Sequence, residues 1–316
     1  MKKVLVTGGA GFIGTNLIKK LLADGNEVYS VDNFTIGTPE HAALFKDNNN
    51  YHFIELNIDN TEEFLMKFKD VNFDMVYHLA ANSDIQKGGQ DPRVDYRDTF
   101  STTRSVLELM RQNDIKKLFF ASTSAVYGDM SGELITENIG NLKPISYYGG
   151  AKFASEGYIS AYTFMNDLSV VVFRFPNVIG PCLTHGVIHD FVKKLKSDPN
   201  KLEILGDGHQ TKPYIYVDDL VDVIVKMTEN IPKGMGIYNI GVDSATSVTK
   251  IADIVCDVLG YKGVTYKYTG GNVGWKGDVP KFQYNLDKIH KTGWRAKYSS
   301  DEAVRKTCEW VKEQVL

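Results

Sequence analysis

Apolar residues in the first 175 positions follow two alternating rhythms. Short continuous runs at 3–7, 27–31, 51–55, 75–79, 117–121 and 169–175 read as strands. Between them, apolar residues recur at helical spacing over 12–22, 61–68, a longer stretch around 95–110, and 149–165. Runs such as MVYHLA and KLFFAS lack a polar alternate, the mark of parallel strands covered on both faces. The alternation predicts βαβ units, hence an α/β fold with a doubly wound parallel sheet.

The rhythm breaks after about residue 176, where PNVIGPCLTHG introduces proline, glycine and histidine and shorter elements follow. The expected organisation is a dinucleotide-binding domain over 1–176 and a smaller substrate-binding lobe over 177–316. Segments at 214–217 and 238–241 are expected to return to the first domain. Composition changes this picture little. The chain of 316 residues is 43% apolar and 24% charged, with a formal net charge of -3. That balance offers no electrostatic case for nucleic acid or an anionic membrane as partner. No apolar run approaches the ~20 residues of a membrane span, and the first residues enter a strand directly, so a cytoplasmic protein is expected. Cys182, Cys256 and Cys308 lack metal or CxxC spacing and read as free thiols of a reducing compartment. The histidines, His185 and His189 included, show no metal-ligand pattern, and no metal is expected.

Candidate chemistry begins in VLVTGGAGFIG, where Gly8, Gly11 and Gly14 lie between a strand and a helix. A helix N-terminus offers unpaired N–H groups and the positive end of a dipole, a natural seat for pyrophosphate. In such a turn one glycine makes the bend, one admits the phosphate and one lets helix and strand approach. Asp32 ends the second strand in VYSVDN, placed to bind a ribose diol and to repel a 2′-phosphate, which favours NAD over NADP. Asn57 and Ile58, after the third strand, are expected to flank the adenine. The expected cofactor site also takes in Phe12, Ile13, Asn33, Leu79 and Phe175. Downstream, Tyr148 and Lys152 in YYGGAK share one helix face, so an ammonium there can favour the phenolate. Thr123 and Ser124 follow the strand KLFFAS, at the sheet end where ligands of such folds bind, and a hydroxyl there can relay a proton to Tyr148.

With these pieces in order, the chain resembles the extended short-chain dehydrogenases/reductases of the nucleotide-sugar epimerase/dehydratase branch. The matching stretches are TGGAGFIG, VDN, YHLAA, STSAVYG, YYGGAK, RFPNVIGP, GDGHQTKPYIYVDDL and GWKGD. The resemblance implies a Rossmann-type domain with a smaller C-terminal lobe for a nucleotide-diphosphate sugar. It implies a catalytic set of Thr123, Tyr148 and Lys152, with Ala80 and Ala81 lining the cofactor cleft. Thr99 stands where many relatives carry an asparagine beside the nicotinamide amide. Asn177, Lys212 and Asp278 are expected on the sugar nucleotide, with Ser83 and Val187 also on the substrate side. Lysine at 212 replaces the arginine of many relatives, and Val273 replaces another. The helices around 95–110 and 149–165 form a dimeric four-helix interface in this family, so a homodimer is expected, with Phe153, Tyr158 and Tyr162 at interface or core positions.

The residues before VYG separate the branch's chemistries. Dehydratases resembling this chain carry Thr-Asp-Glu there and decarboxylases a glutamate, since elimination needs an added acid and base. Here the residues are Thr123, Ser124 and Ala125, a pattern similar to that of 4-epimerases. The expected activity is a nucleotide-sugar 4-epimerase, of the UDP-glucose/UDP-galactose type or acting on a related sugar, that oxidises C4 transiently with tightly bound NAD. The alternatives are a nucleotide-sugar reductase or related enzyme on the same Tyr/Lys pair, and a non-catalytic dinucleotide sensor.

Overall fold

The computed structural model describes residues 1–130, 132–271, 279 and 282–315. Its centre is a seven-stranded sheet formed by β1 (Lys3–Thr7), β2 (Glu27–Asp32), β3 (Tyr51–Glu55), β4 (Met75–His78), β5 (Lys117–Thr123), β6 (Ser169–Phe175) and β7 (Gly234–Asn239). The spatial order is β7-β6-β5-β4-β1-β2-β3, and the β1–β2, β2–β3, β1–β4 and β4–β5 pairings are all parallel. This is the Rossmann order, in which the chain reverses direction across the sheet between β1 and β4. Ligands of such sheets bind outside the strand ends at that reversal.

Helix α1 (Phe12–Ala23) follows β1 and buries Gly14, Thr15, Leu17, Ile18 and Leu21, a stripe at helical spacing. It stops at Asp24 and Gly25, the latter at φ +78°, where glycine is free of a Cβ clash. The predicted helix around 95–110 is a composite. A short helix, Pro92–Asp95, runs into a π-helical stretch, Tyr96–Ser101, and then into α2 (Thr102–Gln112). The hydroxyls of Thr102 and Thr103 both donate to the Thr99 carbonyl, at 3.1 and 2.8 Å, at the join. Helix α3 (Tyr147–Asn166) starts at Ser146, whose hydroxyl accepts the Gly149 N–H at 3.1 Å, and ends at Asp167 in the left-handed region.

The chain divides into two compact units. The first comprises Met1–Gly128, Gly140–Arg174 and Val221–Tyr238; the second comprises Asp129–Ile139, Phe175–Leu220 and Asn239–Leu316. Two features differ from the sequence reading. Tyr214–Tyr216 stays in the second unit, paired in parallel with Asn177–Ile179, and only the chain from Val221 returns. Asp129–Ile139 leaves the first half for the second unit, because Leu134–Ile135 pairs with Gln283–Tyr284 and the Asn239 side chain donates to the Ile135 carbonyl. In the second unit the helices Val248–Leu259 and Ser300–Val315 pack on each other through buried residues such as Ile251, Val255, Ala303 and Val304.

Within the first unit, α3 carries a buried ion pair. Arg174 and Glu156 are 3% and 4% exposed. Arg174 donates from Nε at 3.0 Å and Nη2 at 2.5 Å to the two Glu156 oxygens, and Ser122 donates to the same carboxylate. The guanidinium also lies 4.8 Å from the Tyr127 ring centroid. Two desolvated charges tolerate each other's presence but not each other's loss. Arg174→Met is therefore expected to destabilise the protein by about 3–5 kcal/mol, with Arg174→Met/Glu156→Met recovering much of the loss. Chemical denaturation checks this, and a cost below about 1 kcal/mol for the single variant contradicts it.

Candidate active site

The glycine turn sits at the sheet reversal, and each glycine there meets a different constraint. Gly8 adopts φ +71°, and a Cβ on it would lie 2.7 Å from the Ala80 nitrogen. It closes the gap between the strand ends of β1 and β4. A Cβ on Gly14 would run into the Gly8 carbonyl and lie 2.8 Å from the Gly9 Cα, so Gly14 sets the helix–turn approach. Gly11 is different: its only near neighbour is the Gly8 oxygen, at 3.2 Å. Gly11 is also the N-cap of α1, without a side-chain cap, so the first helical turn from Phe12 and Ile13 keeps its N–H groups for another acceptor. An open approach over Gly11 and an uncapped helix start fit a pyrophosphate.

Asp32 ends β2, 8% exposed. Its two oxygens accept the Ala10 N–H at 3.0 Å and the Phe34 N–H at 2.9 Å. Burial pushes its carboxyl upward while these backbone donors pull it back. Asn33 and Asn57 are exposed neighbours, joined by a 3.4 Å hydrogen bond between side chains. Ile58 is 4% exposed and belongs to the core cluster that includes Leu5, Val31 and Phe64. A β-end aliphatic residue is drawn to whichever apolar surface is nearer, and here that is the core. Leu79, Ala80 and Ala81 follow β4 half-buried. Thr99 is fully buried, its hydroxyl accepting the Asn82 N–H at 3.1 Å inside the π-helical stretch.

Thr123, Tyr148 and Lys152 converge as the helical spacing and strand end predict. Thr123 closes β5, and its hydroxyl accepts the Ala125 N–H at 3.2 Å and hydrogen-bonds the Tyr148 phenol. Ser124, half-buried, opens the following 3-10 turn. Lys152 is 2% exposed; its ammonium donates to the Ala121 carbonyl at 2.7 Å and lies 4.7 Å from the Phe120 ring centroid. Burial raises the Tyr148 phenol well above its ordinary value, Thr123 opposes the rise, and Asp95 adds to it. Burial also pushes the Lys152 ammonium down to about 7, against the pull of Glu156 and Asp95. Lys152 spends its hydrogen bond on Ala121 rather than on Tyr148, and a low-dielectric pocket disfavours both charges.

The remaining predicted residues lie apart along the chain. Ser83 is exposed in the turn after β4, beside Asp84, whose carboxylate caps the helix Ile85–Gln90 through the Lys87 N–H at 3.0 Å. Phe175 ends β6 half-buried. In the second unit, Asn177 is exposed at the start of its strand, and Val187 is half-buried at the start of the helix Val187–Ser197. Lys212, half-buried, pairs in register with Thr246 in a two-stranded ladder. Asp278 and Val273 lie outside the described residues. Among those described, no group of three His, Cys, Asp or Glu is placed to hold a metal ion, and no helix is long and apolar enough to cross a membrane.

Three polar residues beneath the site were not singled out from the sequence. His78, 1% exposed at the end of β4, shares hydrogen bonds with the hydroxyls of Thr7 at 2.7 Å and Thr103 at 3.0 Å. Burial, aided by the Lys152 charge, pushes its imidazolium down to about 3, so it is neutral. Asn82 and Asp95, 2% and 1% exposed, bond each other through Asn82 Nδ2 and Asp95 Oδ1 at 2.9 Å. The one signal in the sequence was a histidine inside an otherwise apolar strand, MVYHLA.

A glycine turn at the reversal of a Rossmann sheet, with threonine, tyrosine and lysine gathered beside the end of β5, defines the short-chain dehydrogenase/reductase class. The comparisons with known proteins narrow it. The sequence profile of the NAD dependent epimerase/dehydratase family matches residues 4–241. The chain is similar to the crystal structure of UDP-glucose 4-epimerase from Thermotoga maritima with UDP-glucose, at TM-score 0.88 and 30% identity over 99% of this chain and 100% of that one. It is 29% identical to UDP-glucuronate 4-epimerase of Thermodesulfobacterium geofontis, over 98% of this chain and 96% of the relative. A structure of dTDP-glucose 4,6-dehydratase from Bacillus anthracis in complex with NAD is also similar, at TM-score 0.86 and 25% identity, covering 100% and 98% of the two chains. The chain belongs to the NAD-dependent epimerase/dehydratase family, and its cofactor is NAD.

His78 makes stability depend on pH. Its folded pKa lies below the ordinary histidine value, so the unfolded chain binds more protons between about pH 6.5 and 3, and stability falls as pH drops through that window. Denaturation at stepped pH is expected to show His78→Gln losing stability less steeply than the parent, by up to roughly 1.4 kcal/mol per pH unit. Parallel slopes would show that His78 is not buried neutral.

Proposed function

We propose that the chain is a nucleotide-sugar 4-epimerase. The observation that carries this reading is the turn after β5. Thr123 hydrogen-bonds the Tyr148 phenol, and the residue two positions on, Ala125, has no proton to give or take. A dehydratase needs an acid and a base for elimination in addition to the tyrosine; an epimerase does not. The similarity to UDP-glucose and UDP-glucuronate 4-epimerases supports the same reading. When bound, NAD would supply the hydride acceptor and donor for C4 of the sugar.

In this reading Tyr148 removes the proton of the 4-hydroxyl and later gives one back, with Thr123 handing it between sugar and phenol. The buried phenol resists ionisation, so the proton leaves only when positive charge is present beside it. Lys152 supplies part of that charge and holds the nicotinamide ribose. Gly8, Gly11 and Gly14, with the helix start at Phe12 and Ile13, hold the pyrophosphate, and Asp32 with Asn33 holds the adenine-side ribose. Ala80, Ala81 and Leu79 form a wall of the cofactor site, and Phe175 lies at its far strand end. Ser83, Ser124, Asn177, Val187, Lys212 and Asp278 take the sugar nucleotide. Lys212 binds the diphosphate as a point charge, without the two-pronged grip of an arginine.

A second copy of the chain covers one face of α3. Phe153 and Tyr158 are 40% and 46% exposed, and Tyr96, Phe100, Tyr158 and Tyr162 form a chain of ring contacts along α3 and the π-helical stretch. Such an apolar surface suits symmetric pairing. Light scattering is expected to give a homodimer, and Phe153→Glu/Tyr158→Glu a monomer. A monomeric parent protein contradicts the pairing.

Purified protein given UDP-glucose, UDP-N-acetylglucosamine and the uronic acid analogues is expected to form a 4-epimer of at least one without added cofactor. Tyr148→Phe is expected to lower that turnover by roughly 10²–10⁴-fold while retaining the nucleotide released on heating. A fully active Tyr148→Phe overturns the assignment, and release of NADP in place of NAD favours a reductase.

A further inference from the structure

His78 ends β4 inside the sheet, and the groups bonded to its ring fix where each proton lies. Thr103 donates its hydroxyl proton to the Thr99 carbonyl at 2.8 Å, so towards His78 Nε2, 3.0 Å away, its oxygen can only accept. The imidazole proton therefore sits on Nε2. At the other nitrogen, the Thr7 oxygen accepts the Ala80 N–H at 3.3 Å and sends its own proton to Nδ1 at 2.7 Å. An imidazolium would leave the Thr7 proton without an acceptor, in agreement with the neutral ring that burial enforces.

These bonds run in one direction, from the Ala80 N–H through Thr7, His78 and Thr103 to the Thr99 carbonyl. The Thr99 hydroxyl then accepts the Asn82 N–H at 3.1 Å. Both ends of the short segment 80–82 thus hang on residues joined by one buried imidazole. Thr7, His78, Asn82, Thr99 and Thr103 are each at most 2% exposed. The glycine turn rests on the same segment: a Cβ on Gly8 would lie 2.7 Å from the Ala80 nitrogen and 3.0 Å from the Leu79 carbonyl carbon. Thr7 immediately precedes Gly8, so one hydroxyl ties the turn after β1 to the end of β4. Burying a histidine in an apolar strand is a cost that an aliphatic residue avoids, unless its two-sided hydrogen bonding is needed.

We propose that His78 is a positioning residue of the cofactor site: as its Nε2–H tautomer it couples Thr7 to Thr103 and so fixes both ends of the 80–82 segment, with the glycine turn against it. This rests on the reading of Ala80 and Ala81 as a wall of the NAD site. His78 touches neither NAD nor sugar in this reading; it acts through the backbone it holds. Imidazole suits the place because one rigid ring offers an acceptor and a donor in different directions.

Long-range 1H–15N NMR of full-length, nucleotide-bearing protein carrying 15N-histidine reads the tautomer, and His78→Gln identifies the signal by its loss. The expected ring is protonated at Nε2 and bare at Nδ1 near neutral pH. A second readout is the exchange of bound NAD against excess isotope-labelled NAD, followed by mass spectrometry. Thr103→Val removes the acceptor of the Nε2 proton, and Thr7→Val removes the partner of Nδ1 and of the Ala80 N–H. Each is expected to speed NAD exchange by at least about fivefold, the weight of one orphaned buried group. Thr103→Ser and Thr7→Ser keep the hydroxyl and are expected to keep the parental rate. Thr228→Val removes a buried hydroxyl bonded at 3.1 Å to Tyr77, whose side chain leaves β4 on the opposite face from His78; it is expected to cost stability without altering exchange. A merely structural His78 would give all three valine variants a loss of stability and the parental exchange rate. Parental exchange in either folded Thr103→Val or Thr7→Val, or a parent His78 ring protonated on Nδ1, overturns the proposal. Neither readout uses a sugar, so absence of epimerase turnover would count against the proposed function and leave this result readable.

Discussion

Burying the ammonium of Lys152 is the constraint around which the first unit is organised. A lysine charge removed from water loses several kcal/mol of solvation unless neighbours replace it. The replacements come from separate elements: the Ala121 carbonyl at the end of β5, the face of the Phe120 ring, and the charges of Glu156 and Asp95. Each brings a consequence. Glu156 must be matched by Arg174, which ties α3 to β6. His78 is pushed towards neutrality by burial and by the Lys152 charge, and it is held by two hydroxyls rather than by a carboxylate. The result is a site whose tyrosine and lysine both sit away from their ordinary protonation equilibria before any ligand arrives.

The second constraint is steric and lies at the sheet reversal. Gly8 brings the turn after β1 against Ala80 after β4, and Gly14 brings α1 against the same turn. Gly11 is the least crowded of the three, with the Gly8 oxygen its one near neighbour. In the proposed cofactor site, Gly8 and Gly14 allow the protein to approach itself and Gly11 is the one left for the ligand's approach.

Local patterns carried the first unit well. Lys3–Thr7 and Ser169–Phe175 agree with the runs of apolar residues residue for residue, because a strand buried on both faces has one readable signature. The i, i+4 spacing of Tyr148 and Lys152 and the position of Thr123 at a strand end likewise predicted their convergence. What local patterns could not carry was context. Tyr214–Tyr216 pairs with Asn177–Ile179 through a contact no local window contains. The π-helical stretch has the same apolar spacing as a continuous helix. The spacing shows that a lysine is near Tyr148, while burial pushes the Tyr148 phenol up and the Lys152 ammonium down.

In the proposed epimerisation, C4 of a nucleotide sugar is oxidised and reduced again within one turnover, with Tyr148 and Thr123 moving the proton of the 4-hydroxyl. A nucleotide hexose deuterated at C4, incubated without added cofactor, tests this directly when the product is read by mass spectrometry and NMR. The expected product is a 4-epimer that retains its deuterium at C4. Product with protium at C4, or deuterium recovered in water, would contradict it.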